Sequence, residues 1–227
     1  ELRQAIAAYL LRFRGMDVSP DCVIVGSGSE YLYGHIVQLL GRDRSYGIED
    51  PSYEKIRLVY RSMGADCELL PLGPDGIQSE ALAACDAGVL HVSPFHSFPT
   101  NIAAPASKRI EYLAWAGEHG AFLIEDDFDS EFTWQRRPLE TMYAMDRGGR
   151  VIYMNSFSKS LAPSLRAAYM ILPQRLMGTY SEKLGFYTCP VPVFEQAVLA
   201  EFLNSGQFER HLYRLRRSVS SFAYPAP

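Results

Sequence analysis

The chain has 227 residues, 48% of them hydrophobic, which is enough for one substantial core. A net charge of -4 argues against a general nucleic-acid surface. The start does not read as a signal peptide, and no apolar run reaches the roughly 18–20 residues that a bilayer span needs. Cys22, Cys67, Cys85 and Cys189 lie far apart with no C-x-x-C pair, so they are expected as reduced, mostly buried thiols of a cytoplasmic protein rather than zinc ligands.

Helical and strand patterns alternate along the chain. "LRQAIAAYLLRFRG" is expected as a helix stopping at Gly15, and "CVIVG" as a short buried strand. "SEYLYGHIVQLLG" follows as a helix with Leu32, Ile36, Leu39 and Leu40 on one face. Strand "SYGIED", helix "YEKIRLVYRSMG" and strand "CELLPL" come next, then a short helix around "SEALAAC" and strand "GVLHVSP". In helix "SKRIEYLAWAGEHG" the spacing puts Ile110, Leu113, Ala114 and Gly117 together. Strand "AFLIEDD", a looser stretch, strands "RVIYMNSF" and "RAAYMILP", and helical patterns to about Ser218 complete the chain. Continuous apolar strands alternating with amphipathic helices imply an α/β fold, a mostly parallel sheet with helices on both faces. Ligands of such sheets bind beyond the carboxyl ends of the strands.

Four strand ends carry unusual residues. In "VGSGSEYLYG", amides at a helix start, with Gly28 allowing close approach and Ser27 or Ser29 offering hydroxyls, suit a phosphate. Gly26-x-Gly28 with Glu49 and Asp50 some twenty residues on also suggests a dinucleotide fingerprint, but its third glycine is Tyr31 here, which would crowd the helix against its strand. In "IEDPSYEKI", Pro51 fixes the chain leaving the strand and Tyr53 opens a helix, able to lie flat over a ring. In "FLIEDDFDSEF", Glu125, Asp126, Asp127, Asp129 and Glu131 crowd one strand end, so water, a metal or a cationic ligand must compensate, and an acid at the tip could hold a protonated heterocyclic nitrogen. In "NSFSKSLAPSLR", Lys159 stands among the hydroxyls of Ser156 and Ser158, with Arg166 seven residues on. Only four of the 22 basic residues are lysine, so a lysine at a strand end is not mere composition. Its amine is a nucleophile when deprotonated, and Arg166 offers a fixed cation for phosphate. One ligand meets all four sites: a phosphorylated pyridine aldehyde, condensing with Lys159, its ring nitrogen on Asp126, its face under Tyr53 and its phosphate on Ser29, Ser156 and Arg166.

The ordered segments "SGSE", "EDPSY", "SPFHSFPT", "EDDFDSEF" and "NSFSKSLAPSLR" resemble the fold-type I pyridoxal-phosphate aminotransferases of class I/II. They are especially similar to the aminotransferase-like domain of MocR-type regulators of the GntR superfamily. The resemblance implies that Lys159 is the Schiff-base lysine and Asp126 the pyridinium partner, both catalytic. Gly28, Ser29 and Glu30 would form the phosphate turn, mostly through backbone amides; Ser156, Ser158 and Arg166 would complete the cup; Tyr53 would stack on the ring. The cofactor implied is pyridoxal 5'-phosphate, with no metal.

The chain also departs from that pattern. Phe128 stands where the family usually has a tyrosine that donates to the cofactor's ring hydroxyl. Phe98 replaces the asparagine of classical aminotransferases, leaving His96 as the nearest polar candidate, and Asn101 follows Thr100 where glycine is usual. Lys55, two residues after Tyr53, falls where some relatives carry an arginine for the substrate carboxylate. By this resemblance residues 1–206 are the cofactor-binding large domain, and 207–227 begin the linker helix to a small domain not present in this chain. A winged-helix DNA-binding domain is likewise not in it, so any DNA contact would be made through such an N-terminal domain. Two functions are implied: an aminotransferase acting on an amino acid, or an effector domain sensing pyridoxal phosphate or an amino acid. A homodimer is expected, and no membrane partner.

Overall fold

The computed structural model describes residues 1–128, 139–162 and 164–223, of which 218–223 in backbone only. Asp129 and Glu131 of the acidic run lie outside the described residues. In chain order the elements are α1 (Leu2–Arg14), β1 (Val23–Gly26), α2 (Ser29–Leu40), β2 (Ser45–Asp50), α3 (Glu54–Ser62), β3 (Asp66–Gly73), β4 (Gly76–Ile77) and α4 (Ser79–Ala83). They continue as β5 (Val89–Val92), α5 (Ala106–His119), β6 (Phe122–Asp126), α6 (Met142–Met145), β7 (Val151–Ser156), β8 (Ala168–Ile171), α7 (Met177–Leu184), α8 (Val193–Asn204) and α9 (Gln207–Ala223).

The strands form one sheet in the order β1-β8-β7-β6-β5-β2-β3-β4. From β7 through β6, β5 and β2 to β3 every pairing is parallel, while β8 runs against both β7 and β1. The mostly parallel sheet expected from the apolar runs is therefore observed. Every residue of β5, β6, β7 and β8 is buried, as strands covered on both faces must be.

Alternation along the strands decides which helix layer each residue meets. Tyr153, Tyr169 and Ile171 join a core with α1, α8 and α9 residues such as Ile6, Leu10, Leu203 and Phe208. Their neighbours Ile152, Met154, Ala168 and Met170 point the other way, into a core with Leu32, Ile36 and Leu39 of α2, Tyr60 of α3 and Leu184 of α7. Val151, Leu123, Leu90 and Val92 share the first parity and pack with Tyr112, Trp115 and Ala116 of α5. Helix α9 runs past Ser218 to Ala223, and its Phe208 and Leu212 are buried in the core with α1.

Two expectations are corrected. The buried face of α5 is Lys108, Arg109, Tyr112, Trp115 and Ala116, not the Ile110–Gly117 face; Ile110 is 57% exposed. The cause is that both cations find oxygens inside: Lys108 Nζ donates to the Ile77 carbonyl at 3.0 Å and the Ser79 hydroxyl at 2.9 Å, and Arg109 donates to the Glu140 carbonyl at 2.6 Å. The thiols are also less uniform than expected: Cys22 and Cys85 are buried, Cys67 is half-buried and Cys189 is exposed.

Candidate functional site

A cavity of ≈ 340 Å³ opens beyond the carboxyl ends of the strands, lined by Ser29, Glu30, Tyr53, Asp126, Phe128, Ser156, Ser158, Lys159 and Arg166 among others. Strand alternation explains why these side chains meet. Asp126 and Ser156 share the parity of Ile124 and Met154, toward α2 and α3, and extend two neighbouring strands paired at Asp126 and Met154.

The same alternation disperses the acidic run. Glu125 is fully buried and accepts the backbone amides of Met142 and Tyr143 at 2.8 and 2.9 Å, capping α6. Burial raises its carboxyl to about 7, although those amides and the nearby Arg14 and Arg109 work against the rise. Asp127 forms a buried ion pair with Arg14 of α1 and accepts the Tyr153 hydroxyl at 2.7 Å. Of the three described acids of the run, Asp126 alone lines the cavity. Its Oδ2 accepts the Tyr33 hydroxyl at 2.5 Å and lies 3.4 Å from His91 Nε2, whereas its Oδ1 is buried with no partner among the described residues.

At the start of α2, Gly28 has φ 105°, a backbone state that a side chain strains. A Cβ there would come within 2.5 Å of Arg166 Nη2, so the glycine lets the guanidinium lie against the helix start. Arg166 donates to Glu30 at 2.7 Å, and Lys55 reaches the other Glu30 oxygen at 3.2 Å. Partial burial raises the Glu30 carboxyl, but the two cationic hydrogen bonds outweigh it and hold the group below its ordinary value. Lys159 projects into the cavity with Nζ 4.5 Å from the centre of the Phe128 ring. Tyr53 caps the start of α3, 39% exposed and edge-on to Phe98.

Three sequence candidates stay out of the lining, Gly28 at the start of α2 and two side chains. Lys55 points to Glu30 and the Tyr53 ring, and His96 lies 2.6 Å from Asn101 Oδ1, its ring stacked on Phe128. The lining also holds Tyr33, Ile56, Ser93 and Phe98. For Tyr33 there was a signal: it lies one helical turn after Ser29 on α2, a polar tip beside the apolar Leu32 and Ile36. The dinucleotide reading loses its parts, because a Cβ on Gly26 would meet Tyr31 at 2.6 Å and Glu49 is buried, accepting from the Ser93 amide and the Ser97 hydroxyl.

The aminotransferase class I and II family matches residues 1–222. The chain is 36% identical over 217 residues to the HTH-type transcriptional regulator YdeL of Bacillus subtilis, covering 96% of this chain and 47% of that protein. It is 32% identical over 217 residues to a probable rhizopine catabolism regulatory protein, MocR of Rhizobium meliloti, covering 95% of this chain and 44% of the relative. The chain thus spans about half the length of the curated relatives it matches. In fold it is similar to an archaeal alanine:glyoxylate aminotransferase, with a TM-score of 0.82 at 23% identity over 92% of this chain and 54% of that one. A family match over nearly every residue makes this chain a member of the aminotransferase class I and II family.

Proposed function

We propose that this chain is a pyridoxal-phosphate-binding, aminotransferase-type unit that acts on an amino acid. The observation that carries the reading is that Lys159 and Asp126 line one cavity, with Asp126 presenting a buried oxygen that has no partner among the described residues. Pyridoxal phosphate, when bound, supplies an aldehyde for an amine and a protonated ring that withdraws electrons from the carbon next to it. The residues fit that group. The Oδ1 of Asp126 suits a ring N–H, and burying that oxygen without a donor would otherwise be costly. Ser29, Ser156, Ser158, Arg166 and the amides after Gly28 suit a phosphate. Tyr53 and Phe128 supply aromatic faces for the ring, and the Lys159 amine is the base that moves a proton at the amino acid's α-carbon.

Within this proposal residues 1–206 are the cofactor-binding unit and 207–227 begin a linker. The protein is a homodimer, and the exposed apolar side chains Phe186, Val193 and Phe194, each more than three-quarters exposed, support a subunit contact there. Lys55 and His96, outside the lining, are the candidates for meeting an amino-acid carboxylate. None of the described helices is long and apolar enough to cross a membrane.

A second reading has its own support, since the relatives named above are regulators. In it the same pocket senses pyridoxal phosphate or an amino acid and alters an attached DNA-binding domain. The test begins with absorbance: added pyridoxal phosphate should give a yellow protein, and borohydride should fix the label on Lys159. Labelling at Lys55 would overturn the assignment. Adding single amino acids then separates the readings, because turnover to the keto acid marks an enzyme and saturable binding without turnover marks a sensor.

A further inference from the structure

Asp126 is gripped from one side only. The Tyr33 hydroxyl donates to Oδ2 at 2.5 Å, His91 Nε2 lies 3.4 Å from the same oxygen without making a hydrogen bond to it, and nothing among the described residues addresses Oδ1. Both side chains are themselves fixed. The Tyr60 hydroxyl lies 2.7 Å from His91 Nδ1, and the Tyr33 ring packs edge-on against Tyr60 and His91 at 6.0 and 5.3 Å between centres. All of these side chains are buried, His91 at 1% and Tyr33 at 2% exposure. Tyr33, Tyr60 and His91 lie on α2, α3 and β5, outside the five segments that carry the family resemblance.

The Tyr33 hydroxyl must be the donor. Burial and the Asp126 charge push its ionisation well above the ordinary tyrosine value, so its proton stays available to Oδ2. The carboxylate torsion of an aspartate is broad and nearly two-fold by itself. A donor on one oxygen removes that freedom, and a hydrogen bond to a charged acceptor is among the stronger kinds.

We propose that Tyr33 is a positioning residue for the ring-nitrogen contact, its hydroxyl occupying Oδ2 so that Oδ1 alone is presented to the N–H of a bound pyridine, with His91 packed against the Tyr33 ring as its support. The proposal rests on the cofactor reading above and adds residues which that reading does not need. Its distinguishing feature is that it concerns a single atom of the ligand. A merely structural role for Tyr33 would weaken every ligand of the cavity alike, whereas a positioning role acts through the ring nitrogen.

The test uses two probes on the full chain: pyridoxal phosphate, and its carbocyclic analogue with C–H in place of the ring nitrogen. Dissociation constants are measured for wild type, Tyr33→Phe and His91→Gln. Tyr33→Phe keeps the ring packing and removes only the donor. It should weaken pyridoxal phosphate about tenfold and change the analogue's affinity by less than about twofold. His91→Gln should show the same selectivity with a smaller loss, and it carries the comparison should Tyr33→Phe fail to fold. Equal losses for both probes, or no loss for pyridoxal phosphate, would overturn the positioning role and leave the cofactor reading standing. A wild-type protein that binds neither probe would remove the cofactor reading and this inference together.

Discussion

The ε-amine of Lys159 rests 4.5 Å from the centre of the Phe128 ring, so the residue that departs most visibly from the family pattern touches the proposed catalytic amine. An aromatic face under a cation is worth about 0.5–1 kcal/mol at exposed sites. Phenylalanine supplies that face and no hydroxyl. Phe128→Tyr should keep the face and add a donor for the cofactor's ring hydroxyl, tightening pyridoxal-phosphate binding by about three- to tenfold. An absorbance titration checks it, and unchanged affinity would show that the added hydroxyl finds no partner there.

Adjacent carboxylates should behave differently on substitution. Asp127→Ala removes one member of the buried ion pair with Arg14, the two side chains being 0% and 2% exposed, and breaking such a pair costs about 3–5 kcal/mol of stability. Asp126→Ala removes a cavity-facing group, so the loss should fall mainly on cofactor affinity. Denaturant midpoints and cofactor dissociation constants, measured on both variants, separate the two effects. The reverse ranking would move the ring partner to Asp127.

Glu125 and Glu49 make stability depend on pH in an unusual direction. Burial raises each carboxyl to about 7 from an ordinary 4.5, against the pull of its own hydrogen-bond donors. A raised acid binds more protons folded than unfolded between those two values, so its ionisation opposes folding there. Stability should fall as pH rises from about 4.5 to about 7 and level off beyond, as far as these two groups contribute. Glu125→Gln removes one titrating group while its amide oxygen still accepts at α6. Chemical denaturation across that pH range should therefore show a shallower slope than wild type; an identical slope would rule Glu125 out as a source.

Glu30 competes with any anion for Arg166. Its carboxylate already accepts from Arg166 at 2.7 Å and Lys55 at 3.2 Å, in a pair that is partly exposed and hence only modestly strong. Glu30→Gln should free the guanidinium and tighten pyridoxal-phosphate binding about threefold at low ionic strength. The gain should shrink in concentrated salt, where exposed charges are screened. Weaker binding in the variant would mean that Glu30 orients Arg166 for the phosphate rather than competing for it.

Much of this was legible before folding. The apolar runs that end in Asp126 and Ser156, and the Gly28 turn opening α2, are local patterns, and each strand end carried its polar residue in plain view. The buried face of α5 was not legible, because hydrophobic spacing cannot foresee that Lys108 will reach the Ile77 carbonyl, 31 residues away. The Tyr33 grip with His91 as its support was hidden for the same reason: a tyrosine on an apolar helix face and a histidine inside a strand look like ordinary core residues until their partners arrive.

The sequence by itself determined that Glu125 and Asp127 must share one side of a strand and Asp126 the other, since extended backbone alternates with a period of two. Only the tertiary structure decided which side becomes a cavity. Arg14, 113 residues before Asp127, brings a counter-charge to one face, while Tyr33, 93 residues before Asp126, brings a single hydroxyl to the other. One carboxylate is paired inside the protein and its neighbour keeps an oxygen without a partner among the described residues, because burial and charge pairing depend on which helix covers which face, and no local pattern encodes that.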